Sequence, residues 1–105
     1  MKVVVAGTDA YDITGALEAE GVEVGRVSVA NRPGLEEAGI LEADAYVLTE
    51  VEQATSISVA KDLVPELDVV VYADGSLPDF ARRQADLVVD PQLLEPATVA
   101  EELAA

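Results

Sequence analysis

Val3-Val4-Val5-Ala6-Gly7-Thr8-Asp9-Ala10-Tyr11-Asp12 is the stretch that decides the fold. Its continuous β-branched run reads as a strand covered on both faces, and the glycine after it as the turn into a helix. A parallel sheet that holds a dinucleotide places two further glycines in this turn, where backbone amides receive the pyrophosphate. Here those two positions are Asp9 and Asp12. The scaffold signal survives, and the phosphate cradle does not.

Outward from this turn, strand-like and helix-like segments alternate. The strands read as Lys2–Ala6, Val22–Val29, Ala45–Thr49, Asp68–Tyr72 and Leu87–Val89. The helical segments read as Ala10–Glu20, Pro33–Leu41, Val51–Val64, Leu77–Gln84 and Pro91–Leu103. Ile57, Ala60, Leu63 and Val64 recur at helical spacing, with Lys61, Asp62 and Glu66 around them. Pro33 and Pro91 suit first helical positions, Asp90 suits a cap, and Gly15 and Gly39 suit close helix–sheet approach. Five strand–helix pairs with short connections imply one three-layer α/β/α domain over residues 1–105, built on a five-stranded parallel sheet.

Composition narrows the chemistry. The 105 residues are half apolar, enough for a packed core, and no apolar run approaches the ~18 residues of a spanning helix. The opening strand leaves no room for a signal peptide, so a cytoplasmic location is expected. There are 21 acidic against 6 basic residues, a net charge of −15. That surface repels nucleic acid and anionic membranes. The carboxylates are scattered through almost every segment, which favours adaptation to concentrated salt, as in a haloarchaeal cytoplasm, over a single acidic patch. At ~1 M salt the Debye length is ~3 Å and the self-repulsion is screened. With no cysteine and no histidine, disulfides, thiol nucleophiles, Cys/His zinc sites and imidazole catalysis are closed.

At this point the chain resembles the TrkA-N or RCK-N family, the nucleotide-binding domains of potassium-uptake and potassium-channel regulators. The resemblance rests on Ala43-Asp44-Ala45-Tyr46-Val47-Leu48-Thr49, on Val59-Ala60-Lys61-Asp62-Leu63, on Asp68-Val69-Val70-Val71-Tyr72-Ala73-Asp74 and on Ala85-Asp86-Leu87-Val88-Val89-Asp90-Pro91-Gln92-Leu93-Leu94. It implies a Rossmann-like fold with strand order 3-2-1-4-5. It also implies NAD, but the family's glycine fingerprint keeps only Gly7, and the acid that would hold an adenine ribose after the second strand is missing. A carboxylate ~4 Å from a phosphate costs ~4 kcal/mol at an effective dielectric of ~20. No cofactor is therefore expected, and a nucleotide or NAD(P) would meet a degraded site.

The crevice at the carboxyl ends of the strands remains the place for a ligand. Its candidate residues are Gly7, Thr8, Asp9, Ser28, Asn31, Arg32, Thr49 and Asp74, with Asp12, Glu50, Glu52 and Ser76 nearby. Several carboxylates there could hold a hard cation, but a chain this acidic places them in any set of loops, and no metal site is expected. Asp9 reads as a cap on the first helix, Arg32 as a loop arginine at the place where NADP-using relatives hold a 2′-phosphate, and Arg82-Arg83 as an exposed helix face neutralising nearby acids. Tyr11, Tyr46 and Tyr72 read as packing residues.

Three functions compete: a regulatory module sensing a small nucleotide-like ligand, an interaction module acting as a homodimer or partner subunit, and an enzyme. Only Asp9, Asp12, Glu50, Lys61 and Asp74 have groups that could serve catalysis. A phosphoryl-accepting receiver needs aspartate after the third strand and lysine after the fifth, where Thr49-Glu50 and Asp90 stand. A CTP synthetase-type activity finds neither a Gly-x-x-x-x-Gly-Lys loop nor a cysteine for glutamine hydrolysis. The non-catalytic regulatory module is the expectation.

Overall fold

The computed structural model describes residues 1–105. Five strands, β1 (Lys2–Ala6), β2 (Glu23–Val27), β3 (Ala45–Leu48), β4 (Asp68–Tyr72) and β5 (Leu87–Val89), form one parallel sheet. Five helices follow them in turn: α1 (Ile13–Ala19), α2 (Arg32–Glu37), α3 (Ser56–Leu63), α4 (Asp79–Gln84) and α5 (Pro96–Ala104). The three-layer α/β architecture is as the sequence implies.

The strand order is 2-1-3-4-5, not 3-2-1-4-5: β3 lies between β1 and β4, and β2 takes the edge. Burial explains the exchange. All four residues of β3 are buried, whereas β2 exposes Glu23 and Arg26 and buries none of its five fully. A wholly apolar strand gains most from a central place, where both faces and both edges are covered.

Alternation along each strand divides the core into two layers. Val4, Ala6, Tyr46, Leu48, Val69 and Val71 pack with Leu35, Ile57, Ala60 and Ala81 under α2, α3 and α4. Val3, Val5, Val47, Val70, Tyr72 and Val89 pack with Ile13, Leu17, Val99 and Ala100 under α1 and α5. The Tyr46 hydroxyl lies 2.7 Å from Ser56 Oγ, and burial pushes its pKa up to about 12. Close approach falls at Gly25, where a Cβ would stand 2.1 Å from the Ala38 carbonyl oxygen.

Several helix limits differ from the sequence reading. The segment from Val51 breaks into a 3-10 turn, Val51–Gln53, before α3, and a second such turn, Ile40–Glu42, follows α2. Arg32 opens α2 with Pro33 second, and the Asn31 side chain caps it, accepting from Gly34 N at 2.8 Å. Asp90 caps a turn instead of a helix, accepting from Gln92 N at 2.8 Å, and the proline that opens α5 is Pro96.

Candidate functional site

In a sheet of this order, β1 and β3 send their following helices to opposite faces, so their loops part at the carboxyl ends. This switch point is where open α/β sheets bind ligands. A cavity of about 270 Å³ opens there, lined by Thr8, Asp9, Ala10, Tyr11, Thr49, Glu50, Glu52, Tyr72 and Asp74. Four carboxylates line it and no basic side chain does.

The β1–α1 turn is built from residues in the left-handed region. Gly7 has φ +102°, Asp9 +54° and Asp12 +57°. The two aspartates therefore hold the backbone sign that glycine adopts freely, at the positions where a dinucleotide fingerprint has glycine. Their side chains explain the exchange. Asp9 Oδ1 accepts from Ile13 N at 2.8 Å and Oδ2 from Thr14 N at 3.0 Å. Asp12 Oδ1 accepts from Gly15 N at 3.0 Å. Three consecutive amides at the start of α1, the groups that would face a phosphate, are occupied by carboxylates of the same chain. Gly15 serves this arrangement and not helix–sheet approach, because a Cβ on it would stand 2.4 Å from Asp12 Oδ2.

β3 closes the turn from the other side. Thr49 Oγ1 donates to the Ala6 carbonyl at 2.6 Å and accepts from Asp9 N at 3.0 Å. A Cβ on Gly7 would lie 2.5 Å from Thr49 Oγ1 and 2.9 Å from Glu50 Oε1. Glycine persists here because Thr49 and Glu50 press on its backbone.

Tyr11 reaches across the mouth. Its hydroxyl donates to Asp74 Oδ2 at 2.6 Å and accepts from Gln92 Nε2 at 3.3 Å, and its ring meets Tyr72 edge-on at 6.1 Å. The hydrogen bond to Asp74, which the phenolate could not donate, holds the Tyr11 pKa above its ordinary value. Burial first, and the charges of Tyr11 and nearby acids after it, raise that of Tyr72, whose hydroxyl donates to the Leu94 carbonyl at 2.7 Å. Tyr46 and Tyr72 pack as expected; Tyr11 is half-exposed and links three loops.

Of the residues chosen from sequence, Thr8, Asp9, Thr49 and Asp74 meet in the cavity, with Gly7 buried beneath them. Asn31 and Arg32 lie apart, in a second hollow of about 390 Å³ between the start of α2 and α3. Arg32 is paired with Asp62 there, and Asn31 is spent on its cap. Ser28 lines neither hollow. Its carbonyl accepts from Gln53 Nε2 at 2.9 Å, while Gln53 Oε1 accepts from Ala30 N at 2.7 Å. Lys61 stands at the amino end of the sheet, 2.9 Å from Asp86, remote from the crevice. No three acidic side chains converge closely enough to hold a metal ion.

Sequence reading gives no prior place to Gln53 and Arg26. Arg26 donates to the carbonyls of Val5 at 3.2 Å and Gly7 at 2.8 Å, fixing the end of β1. The glutamines did carry a signal. The chain has three, and each bridges separate segments: Gln53 as above, Gln84 to Ser58 and Gln92 to Tyr11.

Sheet order and crevice together define an open α/β domain of the Rossmann-like and flavodoxin-like kind. Solved structures agree on the fold. An orphan response regulator of H. pylori is 15% identical with a TM-score of 0.74, covering 98% of this chain and 92% of its own. A CheY-like receiver domain protein from Methanospirillum hungatei JF-1 is 19% identical with a TM-score of 0.69, over 97% and 89%. The TrkA-N domain of the Escherichia coli inner membrane protein ybaL is 15% identical with a TM-score of 0.61, over 97% and 93%. The TrkA-N resemblance is thus one of fold, and these two receiver structures superpose better. No curated protein matches the sequence. The chain belongs to the family of unknown function DUF7126, whose family model matches residues 3–103.

Proposed function

We propose that this domain is a non-catalytic regulatory module whose switch-point crevice works without a phosphate ligand and admits neutral or cationic groups. The observation that carries this reading is the occupation of the Ile13, Thr14 and Gly15 amides by Asp9 and Asp12. An incoming diphosphate would have to displace both carboxylates and stand among Glu50, Glu52 and Asp74 besides. The groups with catalytic competence are otherwise engaged: Asp9 on two amides, Asp74 on Tyr11 and Lys61 on Asp86 at the far end of the sheet.

A regulatory role is supported by the Tyr11 strap. It joins the β1–α1, β4–α4 and β5–α5 loops through two side-chain hydrogen bonds, so a ligand that takes Asp74 from Tyr11 would release the β4–α4 loop from the other two. The likeness to an orphan response regulator favours the same class, while Thr49-Glu50 and Asp90 argue against phosphoryl transfer. The TrkA-N resemblance is retained as kinship of scaffold without its dinucleotide. We also take the scattered acidity as adaptation to concentrated salt.

Ligand-observed NMR in molar KCl, with NAD, NADP, ATP, ADP and a set of neutral and amine metabolites, tests the reading. Saturable contact with a neutral or cationic compound, quenched by Asp74→Asn, is the expected result. Tight binding of any dinucleotide would overturn it.

A further inference from the structure

Of the nine aspartates in the chain, Asp74 alone is followed by glycine. The other eight precede Ala, Ile, Leu, Val, Phe or Pro, and the single asparagine precedes arginine. The fold imposes this pair. Gly75 has φ +102°, in the left-handed region that side chains avoid, and a Cβ on it would stand 3.1 Å from Val51 Cγ2. The turn after β4 therefore requires glycine directly after Asp74, and a glycine leaves its own amide nitrogen unshielded. Asp74, Gly75 and Ser76 are all exposed, and Gly75 N donates to no other group.

An aspartate in that setting can react with its own backbone. Attack of Gly75 N on Asp74 Cγ forms the N–Cγ bond of a five-membered succinimide, breaks a Cγ–O bond and releases one water, which takes the amide proton. The two atoms are already tethered, so ring closure needs no co-reactant. Water then reopens the ring. Addition at the side-chain carbonyl returns aspartate. Addition at the main-chain carbonyl gives isoaspartate, whose backbone runs through Cβ and Cγ and whose free carboxylate sits directly on Cα. Nothing is oxidised or reduced, and one water enters for the one that left.

We propose that Asp74-Gly75 is a self-modification site at the mouth of the crevice, and that its conversion to isoaspartate holds the Tyr11 strap open. The conversion goes beyond the ligand reading and needs no ligand. Tyr11 donates to Asp74 Oδ2 at 2.6 Å, pinning the side chain across the mouth. A pinned carboxyl samples fewer of the rotamers that bring Cγ onto the Gly75 nitrogen, so the strap restrains the reaction. In isoaspartate the carboxylate is drawn back by one methylene and the backbone is longer by one. It then falls short of the Tyr11 hydroxyl. Each opening of the strap thus sets conversion against closure, and a converted chain stays open.

Prolonged incubation of the full chain in molar KCl made up in 18O-water, followed by peptide mapping with electron-transfer fragmentation, is the test. The expected result is a growing fraction of isoaspartate at residue 74 that carries one solvent oxygen, with no comparable labelling of the other eight aspartates. Tyr11→Phe accelerates the conversion about fivefold, as release of one exposed hydrogen bond allows. Gly75→Ala slows it roughly tenfold by shielding the nitrogen. Asp74→Glu abolishes it, because the longer side chain would have to close a six-membered ring. Far-UV circular dichroism checks each fold, and Asp74→Glu keeps the comparison should Gly75→Ala unfold. The bond to Asp74 holds the Tyr11 phenol above its ordinary pKa, so in the converted chain Tyr11, read at a 13C-labelled ring, titrates at lower pH. A residue 74 that gains no solvent oxygen, or no more than the other aspartates, overturns the proposal. Conversion no faster in Tyr11→Phe overturns the restraint, and an unchanged Tyr11 titration in the converted chain overturns the opening of the strap.

Discussion

Replacing Asp9 by alanine and by glycine should rank in the order opposite to ordinary helix preference. Both variants lose the hydrogen bonds from Ile13 N and Thr14 N, at 2.8 and 3.0 Å. Loss of a charged cap on two amides costs about 1.5 kcal/mol. The residue also sits at φ +54°, outside the helix. Alanine there carries about 1 kcal/mol of left-handed strain that glycine escapes. Asp9→Ala should therefore lose about 2.5 kcal/mol and Asp9→Gly about 1.5 kcal/mol. Urea denaturation in molar KCl reads this as midpoints separated by roughly 1 M, given the slope of a domain this size. Two variants of wild-type stability would show that the carboxylate does not hold these amides. Glycine falling below alanine would refute the left-handed assignment.

Other perturbations test the fold and its solvent. Gly25→Ala pushes a methyl toward the Ala38 carbonyl, 2.1 Å from an ideal Cβ, and should cost about 3 kcal/mol in the same denaturation assay. Asp86 accepts from Val69 N and Lys61, which hold its carboxyl below the usual range. Its contribution is complete above the unfolded-state carboxylate pKa and is lost as pH falls through the lower folded value, so Asp86→Asn should flatten stability against pH on the acid side. Dialysis from molar KCl into dilute buffer should cost helical circular dichroism, because 21 acids then repel one another unscreened. Unchanged ellipticity would remove the case for salt adaptation.

The parts of the fold that were legible in sequence are those where one residue type forces one outcome. Val3-Val4-Val5 and Val69-Val70-Val71 could only be strands buried on both faces, and they are. Strand order was harder, because it depends on a comparison between strands. The charges of Glu23 and Arg26 against the unbroken Ala45-Tyr46-Val47-Leu48 already distinguish an edge from a centre. The fingerprint aspartates were legible as an obstacle to phosphate, and Asp9 as a cap. That Asp12 would share the task from a left-handed backbone is a matter of local geometry that letters do not carry. Arg32 was chosen for its place after β2, but its pairing with Asp62, 30 residues along, is a tertiary fact. Tyr11 is the same case, since its meaning depends on Asp74 and Gln92 arriving on the loops after β4 and β5.

The central claim concerns the amides of Ile13, Thr14 and Gly15, and their own resonances test it most directly. In 15N-resolved spectra recorded in molar KCl, titration with NAD or pyrophosphate should leave all three where they are, since the carboxylates of Asp9 and Asp12 already fill their hydrogen-bonding positions. Saturable shifts confined to these three amides would contradict the account.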